Sequence, residues 1–452
     1  MAQAPDRPPG APGPAQTGWL PDCVYTGERF EEGMAFFCDD LGRITRFSRE
    51  PADLAAARRL AGQAALPGLV NAHGRSFERS LRGRVSADLG RALERLTPES
   101  IFDTARMAFL EMLLCGVTCA GEFHTLLHQS NGEPWPERGL VGRELIRAAR
   151  SAGLRLALLP AACARAGGAT ARAATASADS YIAETEALRE FAAGIRPGDE
   201  AWVGVGIADL GGMPPEYLKA VAAYAHAGRL RLHASVSARV EDNAACAAAH
   251  GRSPAALAAQ SGLLDKRFTA LHASHLSDED VRILGSAHAL VCACPASARM
   301  RGEAETPLGA LLAAGASFAL GTDGASHTDL WEDARVAAPR IAPASPARKA
   351  HGPELAQALF HAATVAGARS LGGPGGALEV GRPADFFTVN LFDPALAGAE
   401  PAALLHTLVF SPARRAVRDV WVGGRQRIAG GRHADQGGIV GRFVDQQRRL
   451  WA

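Results

Sequence analysis

The sequence predicts an α/β fold: a (β/α)₈ barrel of the TIM type, joined to a small β-sandwich-like domain that both ends of the chain build. Three observations predict it. Eight short apolar runs alternate with Ala- and Leu-rich amphipathic segments between residues 67 and 371. The ranges 17–66 and 372–452 instead hold short extended runs separated by turn residues. The length of 452 residues and the hydrophobic content of 47% suffice for a barrel core and an added domain.

The elements follow this order along the chain. Residues 1–16 are rich in Pro, Gly and Ala and lack the apolar core of a signal peptide, so they are interpreted as a flexible lead-in. The first part of the small domain, 17–66, contains the runs CVYTGERF and RITRFSRE. The second part, 372–452, contains ADFFTVNLFD and VRDVWVGGRQRIAGGRH, which predict strand pairs with Gly turns. Chain termini often lie close together, so we expect these two parts to pair.

The barrel strands are predicted at LPGLVNAH, VTCAGEF, LRLALLP, AWVGVGI, LRLHASV, FTALHAS, ALVCACP and SFALGTD. Helices are predicted between them, for example at IFDTARMAFLEMLLCG and GRELIRAARSAG. The alternative is an open doubly wound sheet. The absence of a GxGxxG motif after the first strand and the number of strands both favour the barrel.

Charge and cysteine usage exclude several classes of protein. Acidic and basic residues nearly balance, 47 against 48, which gives no reason to expect a nucleic acid or an anionic membrane as a partner. No apolar run is long and charge-free enough to span a bilayer, so a cytoplasmic protein is expected. Cys292 and Cys294 lie within one apolar run and are interpreted as buried thiols, in preference to a disulfide or metal role.

Polar side chains with metal-binding chemistry stand where the barrel strands end. Parallel strands of a barrel carry their reactive groups at their C-terminal ends. The candidates are His73, Glu122, His124, His233, His272, His275 and Asp323. Imidazoles and a carboxylate that converge there suit Zn²⁺, which would lower the pKa of a bound water to about 7. In that chemistry Asp323 accepts the proton of the water and His272 polarises the electrophile.

The order of these residues resembles the amidohydrolase superfamily over roughly residues 17–450. The specific segments are LPGLVNAH, LHAS, ALHASH, GTDGAS and the tail GGALEVGRPADFFTVN with VRDVWVGGR. NAHGRSFERSLRG followed by AFLEMLLCGVTCAGEFHTLLH is most similar to the formimidoylglutamate deiminase subgroup. That resemblance implies histidine degradation, with one zinc ion and hydrolysis of N-formimino-L-glutamate to N-formyl-L-glutamate and ammonia. It also implies that His73, His233 and Asp323 are metal ligands and that His272 helps to polarise the substrate.

Two positions depart from the pattern of the family. Its first strand ends in His-x-His, and here the segment reads His73, Gly74, Arg75. A guanidinium is always charged and offers no lone pair to a metal, so an inward Arg75 opposes metal binding. The family has a proton-shuttling Glu three residues after the histidine of the fifth strand, and here Val236 stands in that place. Valine cannot move protons.

Positions that the resemblance assigns to substrate binding have also changed. A Gln near the first metal motif is replaced by Glu78, and a Tyr after the second strand by Thr125. A His and an Arg that hold the glutamate part of the substrate align with Ile207 and Leu210. Arg75, Glu78, Arg82 and Val236 are therefore the candidate residues of an altered site. Because a buried Arg needs a partner, Glu122 and Asp323 are expected to pair with Arg75.

Three hypotheses follow from this pattern. The first is a divergent formimidoylglutamate deiminase-like protein with lost or altered zinc-dependent C–N hydrolysis, a pseudoenzyme whose zinc or iron ion is weakened or absent because of Arg75. The second is an active metal-dependent hydrolase or deiminase acting on a formimino, amidine or amide substrate, among which the resemblance implies N-formimino-L-glutamate. The third is a non-catalytic binding or partner subunit. A small-molecule ligand is expected in each case, and the resemblance implies a homodimer.

Overall fold

The computed structural model describes residues 16–84, 90, 94–163, 177–195, 198–324, 327–341, 352–411 and 413–452. The predicted lead-in, residues 1–16, lies outside these ranges except for its last residue. Within them the strands form two sheets, which correspond to the predicted barrel and the predicted β-rich domain.

The described strands are numbered in chain order. They are β1 Thr17–Tyr25, β2 Phe30–Glu32, β3 Ala35–Cys38, β4 Ile44–Ser48, β5 Arg58–Pro67, β6 Leu69–Arg75, β7 Val117–His124, β8 Arg155–Ala162, β9 Ala201–Val203, β10 Val205–Ile207, β11 Leu232–Val236, β12 Phe268–His272, β13 Leu290–Ala293, β14 Ser317–Leu320, β15 Asp323–Gly324, β16 Phe386–Asn390, β17 Val417–Val422, β18 Arg425–Ala429 and β19 Arg432–His433.

The described helices are numbered in the same way. They are α1 Pro51–Ala56, α2 Pro98–Leu114, α3 Leu140–Ala152, α4 Ala178–Ala193, α5 Pro215–Ala227, α6 Val240–His250, α7 Pro254–Gln260, α8 Asp278–Ser286, α9 Pro295–Arg301, α10 Leu308–Ala313, α11 Leu330–Ile341, α12 Pro353–Ala362, α13 Val365–Leu371, α14 Pro401–Phe410 and α15 Gln436–Trp451.

The small domain is one sheet that both parts of the chain supply. Its order is β19-β18-β17-β16-β5-β1-β3-β4, with β2 paired to β1. The junction is the antiparallel pair of β5 with β16, in which Leu66 lies opposite Phe387. The prediction that both chain ends build one β-rich domain is confirmed.

Buried aromatic rings form the core of that sheet. Trp19, Phe36, Phe386 and Trp421 are at most 1% exposed. The rings of Phe386 and Trp421 stack with centroids 4.4 Å apart, and Trp19 meets Phe386 edge-on at 5.0 Å. Large rings of this kind bury more apolar area than any other side chains. They therefore supply much of the stabilisation that holds the N-terminal and C-terminal strands together.

The second sheet is the barrel, and it closes on itself. The parallel order β14-β13-β12-β11-β10-β8-β7-β6-β15 returns to the eighth strand, because β14 and β15 are two pieces of one strand interrupted at Gly321 and Thr322. At this seam the side chain of Asn71 donates to Thr322 Oγ1 at 2.9 Å and accepts from Thr322 N at 3.1 Å. A side chain at Gly321 would not fit, since its Cβ would lie 2.9 Å from the backbone of His73.

The C-terminal part, predicted to be β-rich, also contains two helices, α14 and α15. Within α15, Ile439, Phe443 and Leu450 are buried and follow helical spacing. The helix packs against α2 of the barrel. The glycines 437, 438 and 441 and the neighbouring strand signals obscured this periodicity in the sequence.

Two further observations concern the classes of protein considered above. Cys292 and Cys294 are buried thiols inside the barrel, as predicted. Among the described helices, none combines the length and the apolar character needed to cross a bilayer.

Candidate functional site

The centre of the site is Asp323, at the end of the eighth barrel strand. Its side chain is 1% exposed, and its backbone is held at φ 53°, which is unusual for a residue with a side chain. The parallel pairing of β15 with β6 sets Asp323 beside Gly74, between His73 and Arg75. Backbone strain of this kind clusters at functional sites, where the surrounding structure enforces it.

Two guanidinium groups neutralise the Asp323 carboxylate. Arg75 approaches Oδ1 with Nε at 3.1 Å and Nη2 at 2.9 Å. Arg301, at the end of the short helix α9, places Nη2 2.7 Å from Oδ2. Burial alone would raise the pKa of Asp323, but Arg75 and the neighbouring histidines outweigh it, and the pKa falls well below its usual value. Asp323 is therefore an anion with an ion-pair partner at each oxygen, although Oδ2 accepts no hydrogen bond.

Two histidines lie beside this carboxylate. His73 Nε2 is 3.2 Å from Asp323 Oδ1, and the rings of His73 and His272 meet edge-on with centroids 5.4 Å apart. One candidate ligand atom from each of His73, His272 and Asp323 lies within 4.8 Å of the other two. Burial lowers the pKa of His272 to about 4, so its imidazole is neutral at physiological pH.

His233, assigned as a metal ligand from the resemblance, falls outside this group. Its Nε2 donates to the carbonyl oxygen of Ser370 in α13, at 3.0 Å. Burial lowers its pKa to about 3. Ser370 comes from the segment after the eighth strand, far away in sequence, so the strand-end pattern could not reveal this competing partner. The described residues therefore group His272, and not His233, with His73 and Asp323.

The two carboxylates expected to pair with Arg75 differ in their contacts. Asp323 pairs with it, as described above. Glu122 instead accepts hydrogen bonds from Ser76, from the backbone N at 2.9 Å and from Oγ at 2.8 Å. The second carboxylate on Arg75 is Glu78, whose Oε1 lies 2.8 Å from Nη1. The i,i+3 spacing of Arg75 and Glu78 is a local signal that could have predicted this pair.

The remaining predicted residues are placed as follows. Arg82 pairs with Glu111 of α2 at 2.7 Å, and Arg79 meets the same carboxylate at 2.9 Å. Val236 is fully buried at the end of β11, opposite His272 in the strand register. Arg301 was missed by sequence reasoning. Its one signal is its position in a charged segment just after the seventh barrel strand.

His73, His272 and Asp323 offer three donors to a zinc ion, but two guanidiniums compete with the ion for Asp323. Zinc needs three or four donors with available lone pairs. The Asp323 oxygens already face two permanent cations at 2.7 to 3.1 Å. A dication bound to the same carboxylate would lie within a few ångströms of both guanidiniums, where the repulsion amounts to several kcal/mol at intermediate dielectric. The guanidiniums supply Asp323 with the positive charge that a metal would supply.

Comparisons with known proteins agree with this fold. The profile described as "Amidohydrolase family" matches residues 64–427. Formimidoylglutamate deiminase of Pseudomonas aeruginosa is 30% identical over 416 residues, which cover 88% of this chain and 91% of that protein. The 8-oxoguanine deaminase of the same organism is 28% identical and covers 91% of this chain and 94% of its own length.

Two solved structures share the architecture. An amidohydrolase from Brucella melitensis superposes with a TM-score of 0.85 at 24% identity, covering 96% of this chain and 100% of its own. An adenosine deaminase from Xanthomonas campestris, solved with bound zinc, gives a TM-score of 0.81 at 22% identity, covering 97% of this chain and 99% of its own. With a family profile that spans most of the barrel and relatives aligned over most of their length, the chain belongs to the amidohydrolase family.

Proposed function

We propose that this chain is a divergent, formimidoylglutamate deiminase-like member of the amidohydrolase family that has lost zinc-dependent C–N hydrolysis and binds a small anionic molecule at the barrel mouth. The observation that carries the proposal is the engagement of both Asp323 oxygens by Arg75 and Arg301. In the catalytic site that the resemblance implies, the Asp323 carboxylate would need to hold a metal and accept a proton. Here it holds two cations instead.

The loss of the proton shuttle supports the same conclusion. Val236 lies fully buried at the end of β11, where the resemblance implies a Glu. Its side chain carries no group that can accept a proton. Glu122 cannot replace it directly, since its side chain is buried and hydrogen bonded to Ser76.

The anionic character of the ligand follows from the exposure of the two guanidiniums. The side chains of Arg75 and Arg301 remain 30% and 38% exposed, although both pair with Asp323 and each pairs with a second carboxylate, that of Glu78 or Glu303. A planar guanidinium has five N–H donors, so donors remain for a ligand. Carboxylates suit these donors in bidentate geometry. N-formimino-L-glutamate and N-formyl-L-glutamate are carboxylates of this kind and are the first ligands to test.

The decisive experiment is elemental analysis of chain purified without chelators, followed by incubation with zinc. We expect far less than one zinc or iron per chain, no ammonia release from N-formimino-L-glutamate, and a ligand-induced rise in melting temperature. Stoichiometric metal with activity that a chelator removes would overturn the proposal.

Two variants test whether Arg75 is the residue that excludes the metal. Arg75→His, alone and combined with Val236→Glu, should raise zinc affinity by at least an order of magnitude, because one cation is removed and one imidazole is added. Arg82→His is the matched control, since Arg82 pairs with Glu111 outside this group. Unchanged zinc affinity in Arg75→His would show that the guanidinium does not exclude the metal.

A second candidate function is a metal-dependent hydrolase acting on a different C–N substrate. It is favoured by the close approach of His73, His272 and Asp323, within 4.8 Å, and by the zinc bound in the adenosine deaminase from Xanthomonas campestris. The same elemental analysis separates the two candidates. Homodimerisation and a cytoplasmic location stay predictions, and light scattering after gel filtration tests the first.

A further inference from the structure

A cavity lies at the opposite end of the barrel from Asp323. It has a volume of about 350 Å³ and lies between the barrel and the small domain. Its barrel wall contains Leu154 and Arg155, where β8 begins, and Glu200, just before β9. Its other wall is the β17–β18 hairpin, including Gly423. The volume falls in the range of small-molecule sites, which starts at about 300 Å³.

Four arginines line this cavity, and two of them are already neutralised. Arg155 is 4% exposed and pairs with Asp385 at 2.7 Å and with Asp199 at 2.9 Å. Arg150 pairs with Glu200 at 3.1 Å. These two guanidiniums need no ligand.

The other two arginines are Arg425 and Arg427 on β18. In the described part of the chain, neither side chain has an ion-pair partner within 4.0 Å, and Arg427 Nε is a buried atom with no hydrogen-bond acceptor. Burial, followed by the neighbouring Arg425, lowers the pKa of Arg427. Arg427 is half-buried and Arg425 is exposed. A partly buried charge without a partner is costly, so the pair of unpaired guanidiniums at this cavity wall favours an acceptor from outside the chain.

The backbone on the barrel side leaves room for this guanidinium. Gly153 has φ +86°, and a Cβ there would lie 2.6 Å from Arg427 Cδ and 2.7 Å from Nε. The glycine at the end of this helix therefore allows the positive φ of the turn. It also leaves space for the Arg427 side chain against the backbone. The acidic side chains of the cavity wall are Glu200, which Arg150 neutralises, and Asp40, which is exposed.

We propose that this cavity is a binding site for a phosphate group, with Arg425 and Arg427 as its ligands. A guanidinium presents parallel N–H donors that match phosphate oxygens. A phosphate monoester carries a charge of about −1.5 to −2 at neutral pH, which balances two unpaired guanidiniums. The site is independent of the function proposed at the barrel mouth.

The test measures binding of inorganic phosphate to the full-length chain by calorimetry and melting temperature, against chloride at matched ionic strength. We expect saturable binding to the wild type. Arg427→Met, which keeps much of the aliphatic stem, should weaken it at least tenfold, and Arg425→Gln should weaken it less. Arg432→Gln, an exposed arginine on the neighbouring β19, is the matched control and should bind as the wild type does.

The melting temperature without ligand distinguishes a binding role of Arg427 from a structural one. In phosphate-free buffer, Arg427→Met should melt no lower than the wild type, because the variant removes a half-buried charge that has no ion-pair partner. A lower melting temperature together with unchanged phosphate affinity would overturn the proposal. Absence of phosphate binding to the wild type would overturn it as well.

Two further arms fix the location and the source of the phosphate. Arg75→Met removes an anion donor proposed at the barrel mouth, so the phosphate binding that persists in this variant should still be weakened at least tenfold by Arg427→Met. Loss of all phosphate binding in Arg75→Met would place the anion at the barrel mouth and overturn the proposal. Glycerol 3-phosphate tests the source. Tighter binding of the ester supports a phosphorylated small molecule, and equal binding supports inorganic phosphate itself.

Discussion

The two ends of the barrel each contain a buried aspartate held by arginine, but the surroundings of the two carboxylates differ. At the end where the barrel strands begin, here called the floor, Asp385 pairs with Arg155 and also accepts a hydrogen bond from Gly423 N. The ion pair therefore joins the barrel to the small domain. The side chains of Arg155 and Asp385 are both at most 4% exposed. At the mouth, Asp323 pairs with guanidiniums that are about one third exposed, on strained backbone. The first arrangement is structural, and the second has the features of a functional site.

The largest expected effect lies at the floor. Arg155→Met leaves Asp385 as a buried charge without its main partner, so we expect a loss of about 3–5 kcal/mol in the free energy of unfolding. Urea denaturation monitored by circular dichroism measures it. Arg147→Met is the control, since its pair with Glu144 is exposed and should contribute less than about 1 kcal/mol. A small loss in Arg155→Met would remove the proposed distinction between the two ends.

An intermediate effect is expected at Glu122, beside the mouth. Burial raises its pKa to about 8 from an ordinary value of 4.5, so the folded state retains a proton that the unfolded state releases. The stability from this group is complete below about pH 4.5 and is lost as the pH rises through about 8. Between pH 6 and pH 8 the loss is about 2 kcal/mol.

Glu122→Gln tests this linkage. The variant cannot ionise, so its melting temperature should fall less than that of the wild type between pH 6 and pH 9. The exposed Glu354→Gln is the control and should follow the wild type. Parallel pH profiles for wild type and Glu122→Gln would contradict a raised pKa for this carboxyl group.

The smallest effect is expected for Arg75→Met. The side chain is 30% exposed, and Asp323 keeps its contacts with Arg301 and His73, so we expect a change of about 1 kcal/mol or less in the free energy of unfolding. The comparison with Arg155→Met in the same urea titration is the sharpest form of the test. A loss as large as that of Arg155→Met would make the mouth pair structural too.

The sequence predicted the barrel well because its information is local. Each strand carries its own apolar run, and His73, His272 and Asp323 each end one, so their convergence followed from the parallel topology. Arg75 with Asp323 was predictable for the same reason. Contacts that join distant segments were not: Ser370 engages His233, Ser76 engages Glu122, and Arg301 reaches Asp323. Those pairings depend on the direction of each side chain and on the positions of short helices. Neither can be inferred from the hydrophobic periodicity of the sequence.

The strained backbone of the mouth has a consequence for the evolution of the chain. His272 and Asp323 keep positive φ angles of 65° and 53°, and the seam at Asn71 and Thr322 holds the eighth strand in place. These features belong to the backbone and do not depend on whether the neighbouring residue is His or Arg. Under the proposed function, the site can therefore evolve by side-chain exchanges on this scaffold, such as the exchange at Arg75, without any change of topology.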